Sequence, residues 1–494
     1  MSSVTVDGEA TPRSGTRIGR LVGYGASRTV AESLLAARGL TLGLLFGPSV
    51  FGVWALFRLI QGYVSLVHLG IPRGVEIEAT RARSAALTRS PRATVVEADA
   101  AAGAWARTAA GFTWLVFGAI AVGSLGASWL VSDAQTALLL RALAAGILAN
   151  RLWEHGRVFL RVTADLRRVA TFELWNASLH LGLTLALAWQ WGLTGAFVGF
   201  TLANLVTLPW MRRVPFAPDF TRTRLRRLLA VGIPVNASLL LTTGLATADR
   251  FAVAGIAGTT QLGYYAFAAA VAALAGSLAL SMRTVVLREV YSAPRAASAE
   301  NARAHLHRTV EPFALLYPAA LGVVAIALEP AISLLTPAYR EALPVAQILV
   351  FSGASAGIAS LSVLPVVAGG RERWIPAVAG LAFAVNAVGA VAVIEAGAPL
   401  WAVGLLALAA RMVHAVGILA LARVVAGTAA PLRSALRSLG PLVYCGVAVA
   451  VAVHVSPGGG WLGTAAQLGI FALLTTPGAP AARRAVRAAR GISE

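Results

Sequence analysis

The chain has 494 residues, 57% hydrophobic and only 13% charged, with a mean hydropathy of +0.74, which excludes an ordinary soluble globular protein. Its net charge of +20 comes from 41 arginines and not one lysine. Those arginines are spread over many short segments beside apolar runs rather than gathered on one face, so they speak for a membrane and its anionic headgroups and against nucleic acid as a partner.

Residues 1–20 form a polar tail in which Asp7 and Glu9 are unlike a secretory signal, so this end is expected to stay in the cytoplasm. Crossing the hydrocarbon takes about 20 apolar residues. Fourteen such runs follow, near 21–46, 50–70, 105–131, 136–156, 169–189, 194–211, 229–256, 262–282, 309–335, 343–368, 374–395, 400–422, 439–455 and 461–477. The last two are short, which leaves twelve as the alternative count. Runs of this length are too long for barrel strands, and backbone groups in lipid must pair internally, so an all-α membrane bundle is expected.

Alternate loops and the two ends carry 32 of the arginines, whereas the other loops hold Arg340 alone. Such a bias places the arginine-bearing loops and both termini in the cytoplasm. The outward loops are only a few residues long, and the longer inward ones, near 71–104 and 283–308, are rich in Ala and Arg and expected to be partly helical. The chain thus divides into a tail (1–20), six spans (21–211), a basic linker (212–228), six further spans (229–422), a cytoplasmic loop (423–438), two extra spans (439–477) and a basic tail (478–494). Cys445 is the only cysteine, so neither an intrachain disulfide nor a cysteine metal site is expected.

Charges inside the spans are costly and mark candidate functional positions. In the first span Arg28 and Glu32 are four residues apart on one helical face and can pair. Arg38 is about 80° round the helix from Arg28. In the second span Arg58 lies near the midplane with no carboxylate in its own span. Planar, permanently charged guanidinium forks suit a phosphate-bearing anion, so Arg28, Arg38, Arg58 and Arg250 are the candidate substrate ligands. Arg107 near a span end reads as a snorkelling anchor. Arg151, Glu154 and His155 are spaced to form a local cluster, either an interfacial anchor or part of a cytoplasmic mouth. Glu173, His180, Arg411 and His414 are open between packing and transport.

The turn from Gly47 through Gly52 to Trp54 aligns with that from Gly258 through Gly263 to Tyr265, 211 positions on, and Gly192 and Gly199 have the spacing of Gly397 and Gly404. With six spans between the copies, the two halves share one orientation and are related by an axis along the membrane normal. Two such lobes enclose a cavity that rocking opens to either side. In this alignment Arg38 and Asp249 occupy equivalent positions, each about 13 Å along its helix from the outward turn. An Arg38–Asp249 gating pair is one expectation, with a local Asp249–Arg250 interaction as the alternative.

Gly232-Ile-Pro234-Val-Asn236, Ala248-Asp249-Arg250-Phe251, Gly258 and Leu262-Gly263-Tyr264-Tyr265 resemble the seventh and eighth spans of Wzx-like polysaccharide flippases of the multidrug, oligosaccharidyl-lipid and polysaccharide (MOP) exporter superfamily. Pro330 to Leu335, Pro337-Ala338-Tyr339, Gly369-Gly370-Arg371, Asn386 and Gly397 fit the same pattern, as do Phe51 to Trp54 and Leu69-Gly70-Ile71. The resemblance implies two six-helix lobes in a prokaryotic plasma membrane. It also implies transfer of a polyprenyl-pyrophosphate-linked oligosaccharide to the outer leaflet, for O-antigen or exopolysaccharide synthesis, beside polymerases and glycosyltransferases.

The rivals are a lipid II flippase or a drug and cation exporter of the same superfamily; the excess of deep arginine over deep carboxylate opposes cationic cargo. A membrane glycosyltransferase or polymerase would be expected to carry a large loop of catalytic residues, and no such loop occurs in the sequence. No nucleotide-binding motif occurs either, so no cofactor is expected, and the drive is H⁺ or Na⁺ coupling through Glu32, Glu154 or Glu173, or the membrane potential.

Overall fold

The computed structural model describes residues 14–89, 94–164, 166–211, 214–292, 298–456, 460–478 and 480–481, and only the backbone course of 14–26, 89, 166 and 277–292. Most of the expected tails, 1–13 and 482–494, lies outside the described residues. Helices and turns make up the described chain, with no strand among them.

The principal helices are α1 (Ser14–Leu66), α2 (Ile71–Arg89), α3 (Val95–Leu130), α4 (Ala134–Thr163), α5 (Leu166–Thr207), α6 (Arg222–Ala252) and α7 (Gly258–Ser292). There follow α8 (Ala299–His305), α9 (Glu311–Leu335), α10 (Leu343–Val350), α11 (Ser352–Ala368), α12 (Ile375–Glu395), α13 (Leu400–Val425), α14 (Pro431–Ser438), α15 (Gly440–Val455) and α16 (Gly460–Thr475). Ten stretches among the described residues are long and apolar enough to cross a membrane. Ten rather than fourteen result because three run on through an expected turn: Ser27–Leu66 through Gly47, Arg167–Met211 through Gly192 and Arg222–Gly276 through Gly258. The helix Gly460–Thr475, at 16 residues, is also too short to qualify.

Each of those turns is a sharp break at a glycine. Gly47 (φ 70°, ψ 173°) and Gly258 (φ 89°, ψ 174°) adopt nearly the same conformation, and Gly192 and Gly397 also have positive φ. A side chain is disfavoured there, which is why glycine recurs at all four anchors of the sequence repeat. The turns send α1 and α5 back across the bundle, giving each a near segment and a far segment.

Packing follows the halves with two main cross-links, the stronger being α1 on α7 and the other α2 on α6. Helix α1 packs on α5, α3 on α2 and α4, α6 on α12, and α13 on α11 and α12, whereas α1 against α7 joins the halves. The largest buried cluster straddles that joint, with Phe51, Trp54, Phe57, Phe197 and Phe200 from the first half meeting Leu262, Tyr265, Phe267 and Tyr339 from the second. The extra helices α15 and α16 lie against α9, where Gly322 leaves room for the Phe471 ring and Gln467 donates to Glu329 at 3.3 Å.

Candidate functional site: arginines inside the bundle

Two glycine-lined contacts hold the halves together, one at each end of the α1 far segment. At the Gly47 end, a methyl added to Gly52 would stand 1.8 Å from the Thr259 carbonyl oxygen, and one added to Gly263 would stand 1.8 Å from that of Pro48. At the arginine-rich end, Gly70 sits directly on Gly232 and Gly74 on Leu228. There Asn236 Nδ2 donates to the Leu66 carbonyl at 2.9 Å, and the Arg227 guanidinium reaches buried Glu78 at 2.9 Å. The protein is thus drawn shut at both ends of this joint.

Between the two contacts lies a basic cluster. Arg38, 4% exposed, points from the near segment of α1 toward Trp54 and Phe200, its guanidinium carbon 5.6 and 5.7 Å from their ring centres. Its Nη1 lies 3.1 Å from His180 Nδ1. Arginine only donates, so Nδ1 accepts and His180 carries its proton on Nε2, which donates to Asn204 Oδ1 at 3.3 Å. Arg58, on the far segment, stacks over the same Phe200 ring at 4.9 Å and donates from Nη1 to Gln61 Oε1 at 2.6 Å. Unlike Arg38 it keeps open surface, although it lies midway along its segment. Rings from Trp54, Phe57, Phe197 and Phe200 pack edge-on and stacked at 4.8 to 6.2 Å and fix this platform. Neither arginine has a carboxylate within 4 Å among the described residues.

The second half holds its own cluster. Asp249, fully buried, accepts from the Tyr265 hydroxyl at 2.5 Å and lies 3.7 Å from Arg411, which also donates to the Ala246 carbonyl at 3.2 Å. Arg250 is the next residue along α6. Tyr63, from α1, reaches over to it: its hydroxyl is 2.9 Å from Thr247 Oγ1 and its ring meets Phe251 edge-on at 4.8 Å.

The structure does not bring Arg38 and Asp249 together. His180 and two aromatic rings engage the first, and Tyr265 and Arg411 the second, so each is engaged by side chains of its own half. Arg28 and Glu32 pair at 2.9 Å as their spacing predicts, but both are about half exposed, at 54%, and stand apart from the Arg38 cluster. A pair so open contributes little to stability.

Arg151, Glu154 and His155 share one turn without bonding to one another. Glu154 takes both Nη2 contacts of Arg157, at 2.5 and 2.6 Å, Arg151 donates to Asn150, and His155 meets the Pro215 carbonyl. Arg157 lies 3.8 Å from Glu173, which Arg161 holds at 2.7 Å, and Arg161 lies 3.5 Å from Glu76. The arginine-rich end is therefore a lattice of ion pairs, with both Glu154 and Glu173 in contact with arginines. Gln61, Tyr63 and Tyr265 were not singled out as site residues by composition; a glutamine within an apolar run is the one signal that marks the first of them.

A family model described as polysaccharide biosynthesis protein matches residues 91–344, half of the chain. No curated protein matches. Among solved structures, the lipid II flippase MurJ in an inward closed conformation is similar over 92% of this chain and 98% of its own, with a TM-score of 0.67 at 14% identity. A multidrug resistance MATE family transporter of the MOP superfamily is similar in its inward-facing conformation, with a TM-score of 0.61 at 15% identity over 82% of this chain and 96% of its own. Its outward-facing conformation gives 0.54 at 17% identity over 84% and 96%. At these identities the likeness establishes a shared fold.

Proposed function

Because this chain belongs to the polysaccharide biosynthesis protein family, we propose that it is a flippase that carries a polyprenyl-pyrophosphate-linked oligosaccharide from the cytoplasmic to the outer leaflet by alternating access. One observation carries the reading: Arg38 and Arg58 converge on a single Phe200 ring with no carboxylate within 4 Å of either among the described residues. Two like charges beside one ring, Arg38 buried and Arg58 with open surface, favour an anion that both can reach, and a pyrophosphate offers each guanidinium a pair of oxygens. The MOP transporter fold and the family's tie to polysaccharide synthesis support the same cargo.

The two glycine contacts then act as the gates, one released while the other holds. With the arginine-rich end in the cytoplasm, the Gly70–Gly232 contact closes the inner side and the Gly52–Gly263 turns the outer side. Glu154 and Glu173 are held by arginines and Glu32 by Arg28, and the drive in this reading is the membrane potential. A potential negative inside pushes an anionic headgroup outward, by about 2.3 kcal/mol per charge per 100 mV.

The test is flipping of a short polyprenyl-pyrophosphate oligosaccharide by the reconstituted protein, compared with Arg58→Ala and Arg38→Ala. Loss of flipping in folded variants is the expected result. Failure of the wild type to move any such lipid would overturn the reading.

A further inference from the structure

Away from the central arginines, at the arginine-rich end, two neighbouring cavities of about 740 and 600 Å³ open between the ends of α3, α4 and α5 and the turn at Trp210. They share Leu160, Arg168 and Trp210 in their walls, so they adjoin as a two-part hollow. Arg107 lines the first, Arg167 the second, and Arg168 both. None of the three has a carboxylate within 4 Å among the described residues, and the acid in the wall, Asp99, is taken by Arg83 at 2.7 Å. Trp175 and Trp210 stack at 6.3 Å across the rim, 56% and 55% exposed. Stacked tryptophans at the end of spans belong at the headgroup level of a bilayer. The hollow therefore offers what a phosphorylated lipid presents: three uncompensated guanidinium groups for the phosphate, and Leu160, Phe172 and the indoles beside its first methylenes.

We propose that this hollow is a second anion site, separate from the central arginines, that holds the phosphate headgroup of a lipid in the adjoining leaflet. Two lipids share that chemistry, an anionic phospholipid resident at the site and a polyprenyl pyrophosphate waiting there before entry. The purified full-length protein, stripped of lipid and titrated in detergent, is read by native mass spectrometry with phosphatidylglycerol, phosphatidylcholine of the same acyl chains, and a polyprenyl diphosphate. Preferred retention of phosphatidylglycerol over phosphatidylcholine is expected, weakened about fivefold by loss of any one arginine and roughly a hundredfold in Arg107→Gln/Arg167→Gln/Arg168→Gln.

Competition by the polyprenyl diphosphate identifies a waiting site, and its failure to displace phosphatidylglycerol identifies a resident lipid. Equal retention of both phospholipids by the wild type, or a preference that survives the triple substitution, would overturn the proposal. Should the triple variant not fold, Arg168→Gln alone decides, because its side chain is exposed and bonds to nothing described. Arg58→Gln separates this site from the central one: it is expected to slow flipping at least about tenfold while leaving phosphatidylglycerol retention as in the wild type.

Discussion

Gly52 and Gly263 occupy one place in two copies of the same turn: each is seated on the carbonyl oxygen that the other copy presents, at Thr259 and Pro48 respectively, so the contact is reciprocal about a local two-fold axis. All three residue pairs involved, Gly47 with Gly258, Pro48 with Thr259 and Gly52 with Gly263, are 211 positions apart. A β-carbon at either glycine would sit 1.8 Å from an oxygen, and backbone must move to admit it. Gly52→Ala and Gly263→Ala are each expected to cost about 1 to 3 kcal/mol or to hold the joint open. Gly62→Ala, where nothing lies within 4 Å, serves as the uncrowded control, expected to melt at or above the wild type in the detergent-solubilised protein.

Tyr265 supplies the sole hydrogen bond that the described residues give to the Asp249 carboxylate. Tyr265→Phe is expected to destabilise the protein by about 1 to 3 kcal/mol, because a buried acceptor is left unsatisfied. Asp249→Asn in the same background should recover part of the loss, since an amide carries no charge to desolvate. Strict additivity in this double-mutant cycle would show the bond to be energetically silent.

How much of this could be read from the sequence depends on the range of the interaction. The Arg28–Glu32 pair is set by helix spacing alone, and the glycine turns by a backbone conformation that few other residues tolerate. The repeat correctly placed Gly47 and Gly258, yet it could not say which way Arg38 and Asp249 face. Equivalent height on two helices does not fix rotation about their axes. Their partners, His180 and Arg411, arrive from α5 and α13, 142 residues beyond Arg38 in the first case. The spacing of Arg151 and Glu154 was legible, but Arg157, on the same helix, offered Glu154 a two-contact grip. Phe200 as a shared platform has no sequence signature among 17 phenylalanines.

Arg38 and Arg58 should separate stability from transport. Arg38 is buried and bonded to His180, so Arg38→Gln is expected to lower both the melting temperature and the flipping rate. Arg58 has open surface and, among the described residues, bonds only to Gln61 on its own helix, so Arg58→Gln should melt near the wild type while flipping falls at least about tenfold, the loss of one charge-assisted hydrogen bond. His180→Phe is expected to resemble Arg38→Gln in stability, because it strands the Arg38 guanidinium without its acceptor. Equal melting of all three variants would remove the structural role assigned to Arg38.

The turn at His68 makes the closed joint sensitive to acid. Its Nδ1 accepts the Gly70 backbone N–H at 2.9 Å, and Gly70 is the residue that sits on Gly232. Burial, with the Arg151 charge nearby, pushes the His68 imidazole down from 6.5 to about 4. The folded protein therefore refuses a proton that the unfolded chain accepts below about 6.5, so stability falls as pH drops from 6.5 toward 4 and is unaffected above 6.5. Protonation at Nδ1 would also remove the acceptor that holds the turn. His68→Asn keeps an acceptor without titrating, and is expected to make the melting temperature less sensitive to acid across this window than in the wild type. A wild-type profile that rises on acidification, or one that His68→Asn leaves unchanged, would rule out His68 as the source.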